Sequence, residues 1–335
     1  TSEVKGLFCM NHSKLSLSEL EALKTIRKRI AKAEIPSSKL DETINIATWN
    51  IRHWGQKKRK RCSLHYIAEI MNQFDLINVI ELRRNVSELK YVLNLLGHYW
   101  GVVFSDYTPD RGGNKERIAY IYDTRAVQFT GMAAETEGVR KKNRKTGVYE
   151  PKFNWWRNPF MASFKSGNFD FVALSVHLQW GTKKGRLSEL KQLAMWAKTY
   201  LKDEYRIDRD LILMGDFNIT NYDSDFYEAV TKYGLKAPSA LLNSELGSNL
   251  ARNKRYDQIL HHPAQTGSVF TNHGGVIDFY DDDYECLEPY NNLSKTQFTY
   301  ELSDHLPLWI QLNVDIEEEE LDQLIAKRKS RNQNR

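Results

Sequence analysis

One short stretch constrains this chain more than any other. Leu211-Ile212-Leu213-Met214 runs directly into Gly215-Asp216-Phe217-Asn218. Four consecutive apolar residues halted by a glycine and an acid read as a buried strand that delivers polar groups at its C-terminal end. Asp216 and Asn218 are two apart, so on an extended backbone they point to the same side. The pattern recurs. Ile44 to Trp49 ends at Asn50, Leu76 to Ile80 ends at Glu81, and Phe169 to Val176 ends at His177. Ser303-Asp304-His305 precedes a last core strand, Leu306 to Leu312.

Helices are expected between these strands. Ser16 and Glu19 have the spacing of a capping box, and Leu20, Leu23, Ile26 and Ile30 form the apolar stripe of a helix over 16–34 that Pro36 ends. Its basic face (Lys24, Arg27, Lys28, Arg29 and Lys32) reads as a solvated surface. Ser63 is expected to cap a helix reaching Phe74, and Leu187 to Leu201 forms a well-patterned helix ahead of the opening strand. From about residue 100 the texture changes to short strands: Ile118 to Tyr122, Val127 to Phe129, Phe160 to Phe164. Asp110 to Asn114 is a loop, and 138–158, with poor apolar spacing, reads as an extended hairpin or arm. Few prolines and no low-complexity linker predict one main domain over 42–314, a helical extension over 1–41 and a charged helical tail over 315–335 that frays at its end.

Composition narrows the class. With 41% hydrophobic residues in 335 there is ample material for a core, and no apolar window is long enough to span a membrane. The first ten residues lack an apolar signal core, and the three cysteines match neither a disulfide framework nor a zinc pattern. Both observations favour a reducing, cytoplasmic setting, with secreted and nuclear destinations left open. The net charge of +5 is mild and the clustering matters more. Lys57 to Arg61 is a run of five bases, readable as a nuclear signal, a phosphate-binding loop or a solvated loop. Its place just after Asn50 favours the phosphate role over the nuclear one.

Taken singly, each strand-end residue has a plain explanation: Asp and Asn cap turns and helices, and a lone histidine is ordinarily packed or exposed. Together, Asn50, Glu81, Glu116, His177, Asp216, Asn218, Asp257, Asp304 and His305 supply hard oxygen donors suited to Mg²⁺ rather than zinc. They also supply two histidines with possible carboxylate partners for moving protons at a phosphate ester.

Asn50 in ATWNIR, Glu81 in NVIELRRN, His177 in LSVHL, the GDFN tetrad and SDHLPL at 303–308 resemble the endonuclease/exonuclease/phosphatase superfamily in order and spacing, over roughly residues 44 to 312. Glu81-Leu82-Arg83, Lys115-Glu116 and Tyr256-Asp257 are most similar to its deoxyribonuclease I branch. The resemblance implies an α/β fold: a four-layer sandwich of two mixed β-sheets with helices outside and a cleft at one edge. It implies Mg²⁺, with Mn²⁺ or Ca²⁺ as substitutes, held by Glu81 with Asn50 and Asp304. It pairs His177 with Glu116 and His305 with Asp257 as the proton-transferring groups. Asp216 and Asn218 would orient water and the scissile phosphate. Departures exist: Gln258 and Ile80 stand where the branch commonly has Arg and Gln, and no cysteine pair matches its disulfide.

Nucleic acid is the expected partner, DNA first and RNA second, with neither a membrane nor an obligatory protein partner. Arg83 and Arg157 would contact phosphates beside the cut, Lys141, Lys142 and Arg144 would steer the strand, and Trp155 would stack on a base. Trp54, Trp156 and Trp180 are further aromatic candidates; core packing is the competing reading for all four, and for Trp155 or Trp156 singly it weighs at least as much as stacking. A phosphatase or lipid phosphodiesterase on the same scaffold, and a binding protein without catalysis, are the alternatives.

Overall fold

A computed structural model describes residues 10–108, 114–136 and 140–333. Cys9, the loop residues Asp110 to Gly113 and the first two residues of the 138–158 arm lie outside them. In chain order the elements are α1 (Leu17–Ala31), β1 (Thr43–Trp54), α2 (Arg61–Met71), β2 (Leu76–Leu82), α3 (Ser87–Leu96), β3 (Trp100–Phe104), β4 (Arg117–Asp123) and β5 (Gln128–Glu135). The exposed hairpin β6 (Arg140–Lys142) and β7 (Tyr149–Pro151) follows, then β8 (Phe160–Ser166), β9 (Phe169–His177), α4 (Lys183–Lys202) and β10 (Leu211–Asp216). The last third holds α5 (Asp225–Thr231), α6 (Ser239–Leu242), β11 (Asp257–His261), α7 (Pro263–Thr266), β12 (Phe270–Val276), α8 (Lys295–Glu301), β13 (Leu308–Asn313) and α9 (Glu317–Gln333).

Two mixed sheets form the body. The first has six strands in the order β12-β13-β1-β2-β4-β3, and the second five in the order β11-β10-β9-β8-β5. β1 and β2 are parallel, as are β9 and β10; the remaining pairings are antiparallel. β1 and β2 face β10 across the sandwich. The apolar run of β10 is continuous because both its faces are covered. Ile212 and Met214 sit in the cluster between the sheets, whereas Leu211 and Leu213 pack outward with Leu190, Leu193 and Ala197 of α4. β9 divides the same way, Phe171 and Ala173 inward, Val172, Leu174 and Val176 outward. Helices thus flank two mixed sheets. Among the described residues no helix is long and apolar enough to cross a membrane.

Several local expectations need correction. β1 does not stop at Trp49; it continues to Trp54, with an irregularity against β2 between Asn50 and Trp54 that lets the strand carry on past the site. Trp54 is fully buried and is core rather than a stacking platform. α2 begins at Arg61, so Ser63 lies inside it, its hydroxyl bonded to Tyr290 and Glu301 rather than capping. Arg29 is not on a solvated face: it is buried and donates to the carbonyls of Phe279, Tyr280 and Asp283. That contact ties α1, whose capping box is present as expected, to the body. The tail is helical through Gln333, although Leu321, Leu324 and Ile325 remain exposed.

Candidate active site

Strand register assembles the site. Asn50 pairs with Ile80 across β1 and β2, so it lies beside Glu81. Asp216 pairs with His177 on β9 and with Asp257 on β11. Three neighbouring strands therefore carry His177, Asp216 and Asp257 in one row, opposite Asn50 and Glu81. Glu81 and Asn218 both adopt left-handed backbone, at φ 63° and 54°, a conformation costly for residues other than glycine and common where a side chain must be aimed.

Each histidine is backed by a carboxylate. His305 Nδ1 is hydrogen-bonded to Asp257 Oδ2 at 2.7 Å. His177 Nδ1 lies 2.8 Å from Glu116 Oε2. Arg157 Nε approaches the same oxygen at 2.8 Å and Arg83 Nη2 approaches Oε1 at 3.4 Å. The contacts of His177 and Arg157 with Oε2 are close ion pairs that are not aligned as hydrogen bonds. The other ring nitrogens converge on Asp216: its Oδ2 is 3.8 Å from His177 Nε2 and 4.0 Å from His305 Nε2.

Electrostatics follow from this crowding. Burial is the largest influence and opposes an imidazolium at both positions, but at His305 the acids around it, Asp257 foremost with Asp216 and Asp304, together raise the pKa well above the ordinary histidine range. At His177, burial and Arg157 oppose the charge, and Glu116 with Asp216 raises the pKa nonetheless. Burial pushes Asp216 up to about 6 despite the two histidines. Glu116 and Glu81 go the other way. Burial works against their charge, but His177 holds Glu116 below the usual carboxylate range, and His53 together with His177 holds Glu81 below it.

Glu81 is the centre of the oxygen-rich side. Asn50 Nδ2 donates to its Oε1 at 3.1 Å and to Asp216 Oδ2 at 3.2 Å, while the His53 backbone N–H donates to Glu81 Oε2 at 2.9 Å. Among the described residues Asn50 Oδ1 is left buried without a hydrogen-bond partner. Candidate ligand atoms of His53, Glu81 and Glu116 lie within 4.8 Å of one another, and so do those of Asp216, Asp257 and His305. An ionised carboxylate beside an orphaned amide oxygen fits a hard divalent cation. Asp304, expected to join Asn50 and Glu81, is paired with Arg52 at 3.7 Å.

His53 is a residue the sequence did not reveal. It sits in the irregular part of β1, at φ 47°, with Nδ1 2.9 Å from Glu81 Oε2 and in contact with the Arg83 guanidinium. Because that guanidinium only donates, Nδ1 cannot at once accept from Arg83 and donate to Glu81. The proton on His53 therefore decides which neighbour it serves.

The expected nucleic-acid contacts divide. Arg83 and Arg157 are inside the site, engaged with Glu116, rather than on its flanks. Lys141, Lys142 and Arg144 lie on the β6–β7 hairpin, all accessible. Trp155 is corrected: it packs edge-on to Phe153 in the core beneath α4, 8% exposed, so its face is not offered to a base. Trp180, 60% exposed, stands edge-on to Tyr256, whose ring is 5.9 Å from that of His305. Asn218 donates its side-chain amide to the Leu178 carbonyl, which fixes the loop after β10.

No protein-family profile matches this sequence, and no curated protein sequence matches it. Solved structures do. An endonuclease/exonuclease/phosphatase from Bacteroides vulgatus superposes with a TM-score of 0.53 at 18% identity, over 81% of this chain and 98% of that one. A mannosyl-6-phosphatase of Bacteroides thetaiotaomicron VPI-5482 gives 0.53 at 17% identity, covering 80% of this chain and 99% of its own. D. rerio TDP2 complexed with a single-strand DNA product gives 0.53 at 14%, covering 81% and 99%. The chain has the endonuclease/exonuclease/phosphatase fold, which is deoxyribonuclease I-like.

Proposed function

We propose that this protein is a metal-dependent hydrolase of phosphodiester bonds and that it cuts nucleic acid, DNA first, internally and with little sequence preference. The observation that carries the reading is the pair of buried imidazoles, each backed by a carboxylate at Nδ1, with their Nε2 atoms about Asp216 Oδ2. A neutral imidazole oriented this way takes a proton from an attacking water; a protonated one gives a proton to the departing oxygen. Asp257 fixes the His305 ring by its hydrogen bond, and Asp257 and Glu116 each favour the charged form of the histidine beside them. Glu81 and Asn50 Oδ1 would hold a hard divalent cation, Mg²⁺ or in its place Mn²⁺ or Ca²⁺. When bound, the cation offsets negative charge on the phosphate. Arg83 and Arg157 add positive charge at the same place, where a phosphate between the two histidines would compete with Glu116 for them.

Supercoiled plasmid incubated with Mg²⁺, with and without EDTA, tests this reading. Nicking by the wild type that EDTA abolishes and His305→Ala lacks is expected. Intact plasmid, together with phosphate release from a phosphomonoester, would overturn the nucleic-acid reading in favour of a phosphatase on the same fold.

A further inference from the structure

Beside the candidate active site lie two cavities, of about 610 and about 740 Å³, that share a wall of Gly55, Gln56, Asn85 and Ser87. The nearer one is lined by Arg83, which touches Glu116, and by Arg84, Lys90 and Lys115. The farther one is lined by Lys14, Lys57, Lys58, Lys60 and Arg61. All five are exposed, and among the described residues none has an ion-pair partner.

The concavity is built rather than incidental. Arg59, in the middle of the basic run, is turned into the protein: it is buried, 3.5 Å from Glu88, and donates to the Arg52 carbonyl. Its neighbours are therefore held at the rim. Lys57 is fixed 4.5 Å over the Tyr300 ring, which Arg52 also covers at 4.3 Å. Gly55 has φ +86°, and a side-chain carbon there would meet the Asn85 carbonyl at 2.0 Å, so only glycine lets these loops close into the shared wall. The starts of α2 and α3 are already answered from within, the Lys60 N–H donating to Glu301 and the Ser87 N–H to Asn85, so the positive charge of the cavities comes from their side chains.

We propose that this double cavity is a phosphate-binding track for the backbone of a nucleic-acid strand at positions remote from the bond that is cut. The inference rests on the nucleic-acid reading above. A single phosphate would occupy a small part of the space. A ligand that reaches both Arg83 at the site and Lys58 or Lys60 at the far end is a chain carrying several phosphates. Lys14 precedes α1, so the N-terminal extension supplies one wall of the track.

The test is the triple variant Lys57→Ala/Lys58→Ala/Lys60→Ala. Its substitutions are exposed and outside the catalytic set. Binding of a labelled single strand is measured in EDTA at several salt concentrations, and kcat/KM with Mg²⁺ is measured on the same strand and on a dinucleotide. The strand has roughly a dozen nucleotides, within the span of known single-strand sites. For the strand, affinity is expected to fall about tenfold or more, and the slope of log K against log salt to flatten by about 2, as for three lost phosphate contacts. For the dinucleotide, kcat/KM is expected to stay unchanged. If the wild type cuts the strand and the triple variant binds and cuts it equally well, the track is overturned and the function stands. Equal loss on both lengths would also overturn it. A wild type that neither binds nor cuts the strand would fail the nucleic-acid reading and the track together.

Discussion

Asn50 joins the two sheets chemically: its Nδ2 donates to Glu81 at the end of β2 and to Asp216 at the end of β10. Around it, small changes should have separable effects. In Asp257→Asn, His305 loses the group that holds its proton against burial, so its imidazole should titrate at a lower pH than in the wild type. Following the His305 ring signals by NMR against pH checks this; an unchanged midpoint would mean that Asp257 only positions the ring. His261 provides a contrast outside the site. It is buried, bonded to Thr266, and burial depresses its pKa to about 4. Between that value and the ordinary value of 6.5 the unfolded chain binds a proton that the folded chain refuses, so stability falls as pH falls through this window. His261→Gln should remove this contribution, of no more than about 3 kcal/mol. Urea unfolding of both proteins at the two ends of the window should then show a steeper loss on acidification in the wild type than in the variant.

At the scale of elements, β10 is the part on which most depends. Gly215 has φ +136°, and a side-chain carbon there would sit 2.1 Å from the Val176 carbonyl of β9. Gly215→Ala should therefore cost about 2–4 kcal/mol by combining backbone strain with overpacking. It should also displace Asp216 from His177, so activity falls by more than the folded fraction alone explains. Thermal melting and kcat measured on the same preparation check both. The role of β10 was legible in sequence because a covered parallel strand is apolar throughout and its polar end is abrupt. Glu116, Asp257 and the two histidines were legible only through their place in recurring short segments. His53 and Arg59 were not, since the irregularity in β1 and the inward turn of one arginine within a basic run depend on contacts with Glu81 and Glu88, far away in the chain. For the same reason the sequence leaves stacking and core packing open at Trp54 and Trp155: an indole beside basic residues reads alike whether it is covered or exposed.

Over the whole molecule, the N-terminal extension is packed on the body. Leu23, Ile26 and Ile30 of α1 belong to the main apolar cluster, and each contributes about 1.5–3 kcal/mol by burial. Arg29 anchors the helix to 279–283, and Arg27 with His12 contacts Glu69 of α2. Removing the chain up to Ala31 should therefore lower the melting temperature markedly, which differential scanning calorimetry would show; an unchanged melting temperature would make the extension an independent appendage. The same packing carries Lys14 to the basic cavity, which links the extension to substrate binding as well as to stability.

The central claim is that two carboxylate-backed histidines, one on each side of Asp216, move the protons in hydrolysis of a phosphodiester. The most direct test is kcat for cleavage of a labelled DNA strand by wild type, His177→Ala and His305→Ala, each confirmed as folded by its melting curve. The account predicts that each substitution lowers kcat by about 10²–10⁴-fold, the range for a lost general acid or base. A wild-type rate in either variant would contradict it.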